Sequence, residues 1–379
     1  MTDARPRRVA LVRGHQTNSW HLRPWRHLPD RFDAVVLRTR RSWFDTASLG
    51  LSAEPAPALR DLLPSGRIGD ALARVPGDRY LRPREALAGA AIVHSQDLGF
   101  WYSMQAAKYK RELGYKLVLT VWETIPLLGA YRNVRTRPYR ERVLAATDLF
   151  LATSERARKA LVLEGADPAR IQLCPPGVDM ELFGAEPSAP QPTEHLIVSP
   201  GRLVWEKGHQ DLLRAVATLR RGLVETPTVP RVLIVGAGPE KARLTRYAAE
   251  LSISDLVEVR SEIPYADMPA LYGRASCLVL GSLPVWFWEE QFGMVLAEAM
   301  AARLPIVAAS SGAIPEVVDE SVRTFPAGGW PELASLLAEE VLTRPPGTRA
   351  TYEQSTVDRY SAPAFAERLA TAYDELLAS

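Results

Sequence analysis

Three glutamates lie close together in WFWEEQFGMVLAEAM, the stretch from Trp286 to Met300. Glu289 and Glu290 stand just before Phe292-Gly293, and Glu298 follows inside an apolar run with helical spacing. A helix starting near Phe292-Gly293 places Glu290 in the loop before it and Glu298 on its second turn. Were both helical, eight residues at about 1.5 Å would separate them by roughly 12 Å along the axis. Paired glycosidase carboxylates stand about 5 to 9.5 Å apart, so sugar hydrolysis by this pair is disfavoured. Two carboxylates that bind hydroxyl groups along an elongated ligand fit better. A lone helical glutamate is usually solvated. Here Ala297, Ala299, Met300 and Ala301 surround Glu298 with small and apolar groups, which argues against plain exposure.

Two cations form the second candidate cluster. SPGRLVWEKGHQDLLRAVATL reads as strand, loop and helix, with Leu212, Leu213, Val216 and Leu219 at helical spacing after Lys207-Gly208. Arg202 and Lys207 would then stand at the carboxyl end of a strand, where open α/β sheets bind ligands. The positive end of the following helix favours an anion there. Two converging cations suit a diphosphate; a solvated loop with two surface cations stays open on these residues alone. RVLIVGAGPEKARL has Gly236 and Gly238 after a strand but lacks the third glycine of a dinucleotide fingerprint, so a tight strand-to-helix turn suffices for it. VRGHQTNSW, after the first strand, lacks that fingerprint too, which counts against a nicotinamide enzyme.

The elements that must position these residues are short apolar runs separated by helical stretches. The first half has RRVALVRG, FDAVVLR, AAIVHSQD, KLVLTVW, LFLATS and IQLCPPG; the second has HLIVSPG, RVLIVGAG, VEVRSEI, SCLVLGS and PIVAASS. Val, Ile and Leu dominate them, as in buried parallel strands. Strands alternating with helices twice over predict two doubly wound α/β domains facing one another across a cleft. GAEPSAPQPTEH between the two sets has the composition of a linker. Thr46 to Asp78 is rich in Pro, Gly and Ala and yields no strand, at most a short helix near Ile68 to Arg74. VDRYSAPAFAERLATAYDELLA predicts a closing amphipathic helix.

Composition bounds the class. The chain has 379 residues, 47% hydrophobic and 24% charged, which suits two soluble globular domains. A net charge of +2 gives no field that argues for nucleic acid. The two cysteines, Cys174 and Cys277, lie far apart, which speaks against a disulfide or zinc site and for a reducing cytoplasm. No run approaches the roughly 18 apolar residues of a membrane span. YRNVRTRPYRER, Tyr131 to Arg142, is strongly basic; a solvated surface outweighs weak membrane docking or an acidic acceptor there.

SPGRLVWEKG, LIVGAGPEKARL, ADMPALYGRASCLVLGS and EEQFGMVLAEAMAARLPIVAASSGAIPEVV occur in this order over about residues 195 to 320. As a set they resemble the second domain of the retaining GT-B nucleotide-sugar glycosyltransferases, the large group 1 or family 4 with a Glu-x7-Glu element. The pattern Glu-x-Phe-Gly falls on Glu290, which makes Glu289 a neighbour. The resemblance implies a Rossmann-like acceptor-binding domain over 1–188, a Rossmann-like donor domain over 189–358, and a helix over 359–379 that packs back toward the first. It implies that Arg202 and Lys207 neutralise the diphosphate of a UDP- or GDP-sugar. Glu298 would bind the ribose and Glu290 the transferred sugar, with backbone contacts from Phe292, Gly293 and Met294. Gly14, Gly201, Gly236 and Ile263 join the donor-binding set, and His94, placed at a strand end, would face the sugar. In the mechanism it implies, the acceptor attacks the face that the phosphate leaves, with neither metal nor cofactor. The chain departs from the pattern in the first half, with Gly14-His15 for a glycine pair and Trp122-Glu123 for a His-Asp pair. His15, Trp122 and Glu123 are therefore the acceptor-side candidates, for a glycan, lipid or small-molecule acceptor. An epimerase on the same fold and a non-catalytic sugar-nucleotide binder are the alternatives.

Overall fold

The computed structural model describes residues 5–42, 50–64, 66, 68, 69, 72, 77, 79–128, 137–184 and 192–379. The chain divides into two compact units, residues 1–177 with 360–379, and residues 178–359. The interdomain linker expected at 184–195 falls largely outside the described residues, as do four of the seven residues of the short helix expected near Ile68 to Arg74 and the basic residues 131–136.

The first unit holds β1 (Arg7–Val12), β2 (Phe32–Arg38), β3 (Ser52–Pro55), β4 (Ile92–Gln96), β5 (Lys116–Val121), β6 (Leu149–Ala152) and β7 (Ile171–Leu173). They pair in parallel in the order β3-β2-β1-β4-β5-β6-β7. Alternation along β1 shows why these strands are apolar throughout. Ala10 and Val12 pack on one side with Tyr102 and Ala106, whereas Val9 and Leu11 pack on the other with Phe365, Leu369 and Tyr373. A parallel sheet needs both faces covered, and successive side chains point to opposite faces.

The second unit holds β8 (Leu196–Pro200), β9 (Arg231–Val235), β10 (Val257–Arg260), β11 (Cys277–Leu280), β12 (Ile306–Ser310) and β13 (Arg323–Pro326), in the parallel order β10-β9-β8-β11-β12-β13. β3 and β13 were not expected from the sequence. SAEP is a fully exposed edge strand and RTFP buries only Phe325, and both end in proline, so neither carries the buried-strand signature.

Helices of eight residues or more among the described residues are α1 (Trp101–Leu113), α2 (Arg137–Ala146), α3 (Glu155–Glu164), α4 (His209–Arg220), α5 (Lys241–Glu250), α6 (Met294–Ala301) and α7 (Ala362–Ala378). The closing helix is α7. Ser361 caps it by accepting from the Ala364 N–H at 3.2 Å, and its apolar face joins the core of the first unit.

Candidate functional site

In the second sheet the chain runs outward from β8 through β9 to β10, then returns to add β11 on the other side of β8. The carboxyl ends of β8 and β11 therefore flank a topological switch point, where doubly wound sheets bind ligands. The loops there touch backbone to backbone. A Cβ on Gly208, which has φ +68°, would lie 1.8 Å from the Gly281 carbonyl oxygen, and one on Gly236 would lie 1.8 Å from that of Gly201. Only glycine allows either approach.

This closeness brings Lys207 and Glu290, 83 positions apart, into contact. Lys207 Nζ donates to Glu290 Oε2 at 2.6 Å and lies 4.9 Å from the Trp288 ring centre. Ser282 Oγ donates to the same carboxylate oxygen at 2.5 Å. The two charged side chains are 13% and 6% exposed, so the pair is mostly desolvated. Arg202 stands on the same loop, 58% exposed and 3.9 Å from Glu206. Its carbonyl is tied to His209 Nε2 at 3.1 Å, while His209 Nδ1 meets Ser199 Oγ at 2.9 Å. Burial lowers His209 to a pKa of about 4, so it is neutral and serves as a hydrogen-bonding brace under this loop.

Gly293 precedes α6 and Met294 opens it, so the first N–H groups of the helix lack partners within it. Phe292 is buried just before. Glu298 is buried on the second turn, where Oε1 accepts from the Tyr265 hydroxyl at 3.0 Å and Oε2 from that of Tyr272 at 3.3 Å. Ile263 lies half-buried after β10, two residues before Tyr265. Glu289 is as buried as Glu290, so it is no surface bystander. The structure thus gathers Arg202, Lys207, Glu290, Gly201 and Gly236 in loops at the carboxyl ends of the second sheet's inner strands and gives Glu298 a separate pair of tyrosines.

The first unit treats its candidates differently. His94 sits in the middle of β4, not at its end, and is fully buried. One ring nitrogen pairs with the Tyr373 hydroxyl at 2.5 Å and the other with Thr120 Oγ1 at 2.7 Å. Burial, with the Arg13 cation nearby, holds it well below the usual histidine pKa. His94 therefore stands mid-strand with both nitrogens engaged within the first unit, which corrects the expected strand-end position. His94→Ala should leave a cavity and two orphaned hydroxyls, at about 2–4 kcal/mol. A Tm drop of about 5–15 °C is expected in calorimetry; lost turnover at unchanged Tm would show a catalytic role instead.

Gly14 donates its N–H to the Tyr80 hydroxyl at 3.0 Å. His15 is buried with Nε2 3.7 Å from Asp61. Trp122 stacks on His21 with ring centres 5.0 Å apart. Glu123 is gripped by both Nη atoms of buried Arg140, at 3.1 and 2.9 Å, and Arg140 also donates to Glu164 at 2.9 Å. Arg140, read from the sequence as part of a solvated basic run, instead turns inward from α2. Sequence reasoning also missed Asp97, whose Oδ1 accepts from the N–H groups of Trp122 and Glu123 at 2.7 and 3.3 Å. Burial and then the Glu123 charge raise Asp97 to about 7. Its signal was a lone acid directly after the strand Ile92–Gln96.

Residues 185–353 match the family described as Glycosyl transferases group 1, and residues 26–182 match Glycosyltransferase Family 4. The chain belongs to these glycosyltransferases. Over 256 residues it is 30% identical to the D-inositol 3-phosphate glycosyltransferase of Mycobacterium tuberculosis, a match covering 61% of this chain and 49% of that protein. It thus spans about half the length of the curated relatives it matches. Its fold is similar to that of Anabaena HepE in complex with UDP and glucose, with TM-score 0.72 at 18% identity over 98% of this chain and 100% of the other. It is also similar to sucrose-phosphate synthase from Thermosynechococcus elongatus, with TM-score 0.65 at 18% identity over 98% and 99%. The fold of this glycosyltransferase is therefore GT-B, built from two Rossmann-like units.

Burial raises Glu298 in this glycosyltransferase from 4.5 to about 7. A raised carboxyl pKa means that the native state holds its proton longer than the unfolded chain does. Its contribution to stability therefore declines as pH rises from about 4.5 to about 7. Melting across that range, with Glu298→Gln beside it, checks this; an equal slope in both would sink it.

Among the described residues no helix is long and apolar enough to cross a membrane, and no three His, Cys, Asp or Glu side chains cluster as metal ligands.

Proposed function

We propose that the chain is a retaining glycosyltransferase that moves a sugar from a UDP- or GDP-linked donor to a glycan, lipid or small-molecule acceptor. The observation that carries this reading is the Lys207–Glu290–Ser282 cluster at the switch point of the second sheet. It sets a cation for a diphosphate beside a carboxylate for sugar hydroxyls. Arg202 adds a second cation, so the departing charge needs no metal. The donor C1–O bond to phosphate breaks while the acceptor oxygen bonds C1 on the same face, and the acceptor proton passes to the departing phosphate oxygen. Glu290 suits binding better than covalent attack, because one of its oxygens already accepts from Lys207 and Ser282. Glu298 takes the ribose, with Phe292, Gly293 and Met294 offering backbone groups at the start of α6.

UDP in the complexes of Anabaena HepE makes uridine donors the first to try. A cytoplasmic place of action fits two buried, unpaired cysteines. A thermal-shift screen with UDP, GDP and their common sugars tests the donor. A ligand at 100 times its dissociation constant stabilises by about 2.7 kcal/mol, or about 5–10 °C. The anomeric configuration of the product then tests retention. Stabilisation by neither nucleotide, or an inverted product, overturns the respective part.

A further inference from the structure

A groove in the second unit lies outside the donor-binding set. It runs between α4 and α5, beside the turn that carries Lys207, and encloses about 400 Å³, within the roughly 300–1,000 Å³ of ligand pockets. Trp205 and Tyr247 supply aromatic walls. Trp205 stays 41% exposed, with the Arg243 guanidinium carbon 4.9 Å from its ring centre. Arg214 fixes Tyr247: its Nε donates to the Tyr247 hydroxyl at 2.9 Å, while Nη1 donates to buried Asp211 at 2.5 Å. Gln210 is buried and donates its Nε2 to the Trp205 carbonyl at 3.2 Å. Its Oε1 takes no partner among the described residues.

Arg246 and Glu250 line the same groove one turn apart on α5, yet neither pairs with the other or with any other described residue. Arg246 offers donors, and Glu250 and Gln210 Oε1 offer acceptors. Arg243 is balanced by Glu240 at 3.2 Å and Arg214 by Asp211, so the groove carries little net charge. An anion would meet the carboxylates of Glu240 and Glu250 there as well as the arginines. Hydroxyl groups, which donate and accept at once, can use both kinds of open group. The C–H face of a sugar ring can pack on the aromatic walls. We propose that this groove is a second sugar-binding site, for a neutral glycan that the enzyme holds without reacting. None of its residues belongs to the set assigned to the donor, so the inference goes beyond the transfer reaction. A glycan held on the donor-binding unit stays near the enzyme between turnovers, which raises its effective concentration.

The test is a saturation-transfer NMR titration of the full chain with maltose, cellobiose and lactose, in saturating UDP so that the diphosphate site is filled. At least one disaccharide should receive saturation on its ring protons. Arg246→Ala combined with Glu250→Gln alters two exposed side chains, and surface changes of this kind leave the fold intact. That double variant should weaken the sugar about tenfold or more while UDP affinity stays unchanged. Trp205→Ala should weaken it as well, through loss of the stacking ring. Saturation of none of the three sugars, or full sugar affinity in either variant, overturns the proposal. So does displacement of the bound sugar by pyrophosphate, which would make the groove an anion site. Failure of wild-type UDP binding would count against the transferase reading and not against the groove, which is then titrated without nucleotide.

Discussion

Replacing Lys207 with alanine will lower transfer by roughly ten- to 150-fold, as expected for loss of a charge-assisted contact worth about 1.5–3 kcal/mol. Two effects combine in this variant. The diphosphate loses a cation at the moment its charge grows. The ligand-free protein also loses the partner of a buried carboxylate, since Glu290 then keeps only the Ser282 hydroxyl on the shared oxygen. An unpartnered buried charge costs about 1–3 kcal/mol or more, so the melting temperature should fall as well. Adding Glu290→Gln removes the stranded charge. The double variant should therefore be more stable than the sum of the single changes predicts, a coupling expected of residues in contact. Turnover, UDP calorimetry and melting of the four proteins measure both effects. Wild-type turnover in Lys207→Ala would remove this residue from the site.

The second large effect separates the two site glutamates. Glu290→Gln should leave nucleoside-diphosphate affinity nearly intact and lower turnover by roughly a hundredfold, because contacts that strengthen as the sugar gains positive charge appear in kcat. Glu298→Gln should weaken UDP and sugar donor alike by about tenfold, because the ribose does not change during reaction and uniform binding appears in KM. Their separate settings support the split: one Glu290 oxygen accepts from a lysine and a serine, whereas each Glu298 oxygen accepts from its own tyrosine. Glu289→Gln is the turnover control, although its burial makes it a poor control for stability. If Glu289 proves sensitive and Glu290 silent, the Glu-x-Phe-Gly register is off by one.

What was legible in the sequence was whatever repeats locally. Each of the eleven runs read as strands forms one. The loop after β8, with its two cations, and the glutamates around α6 stand where spacing put them. Contacts between distant residues were not legible. No periodicity shows that Lys207 meets Glu290, that Arg140 turns inward to hold Glu123, or that Tyr373 reaches His94 across 279 positions. His94 was expected at a strand end because the strand was read two residues short; the structure puts it in the middle of β4. Arg13 was overlooked because an arginine after a strand is ordinarily solvated, and only the fold shows that this one is enclosed.

Residues 360–379 belong to the first unit although the whole of the second unit intervenes. On the ribosome this reverses the usual order of completion, in which the N-terminal domain finishes first. The contiguous second unit can close as soon as it emerges. The first must wait with the sheet face of Val9 and Leu11 uncovered until α7 is made, and with His94 lacking its Tyr373 hydroxyl. The nascent first unit therefore keeps part of that apolar face exposed for as long as the second takes to be synthesised, and cutting the chain before α7 should leave a first unit that aggregates.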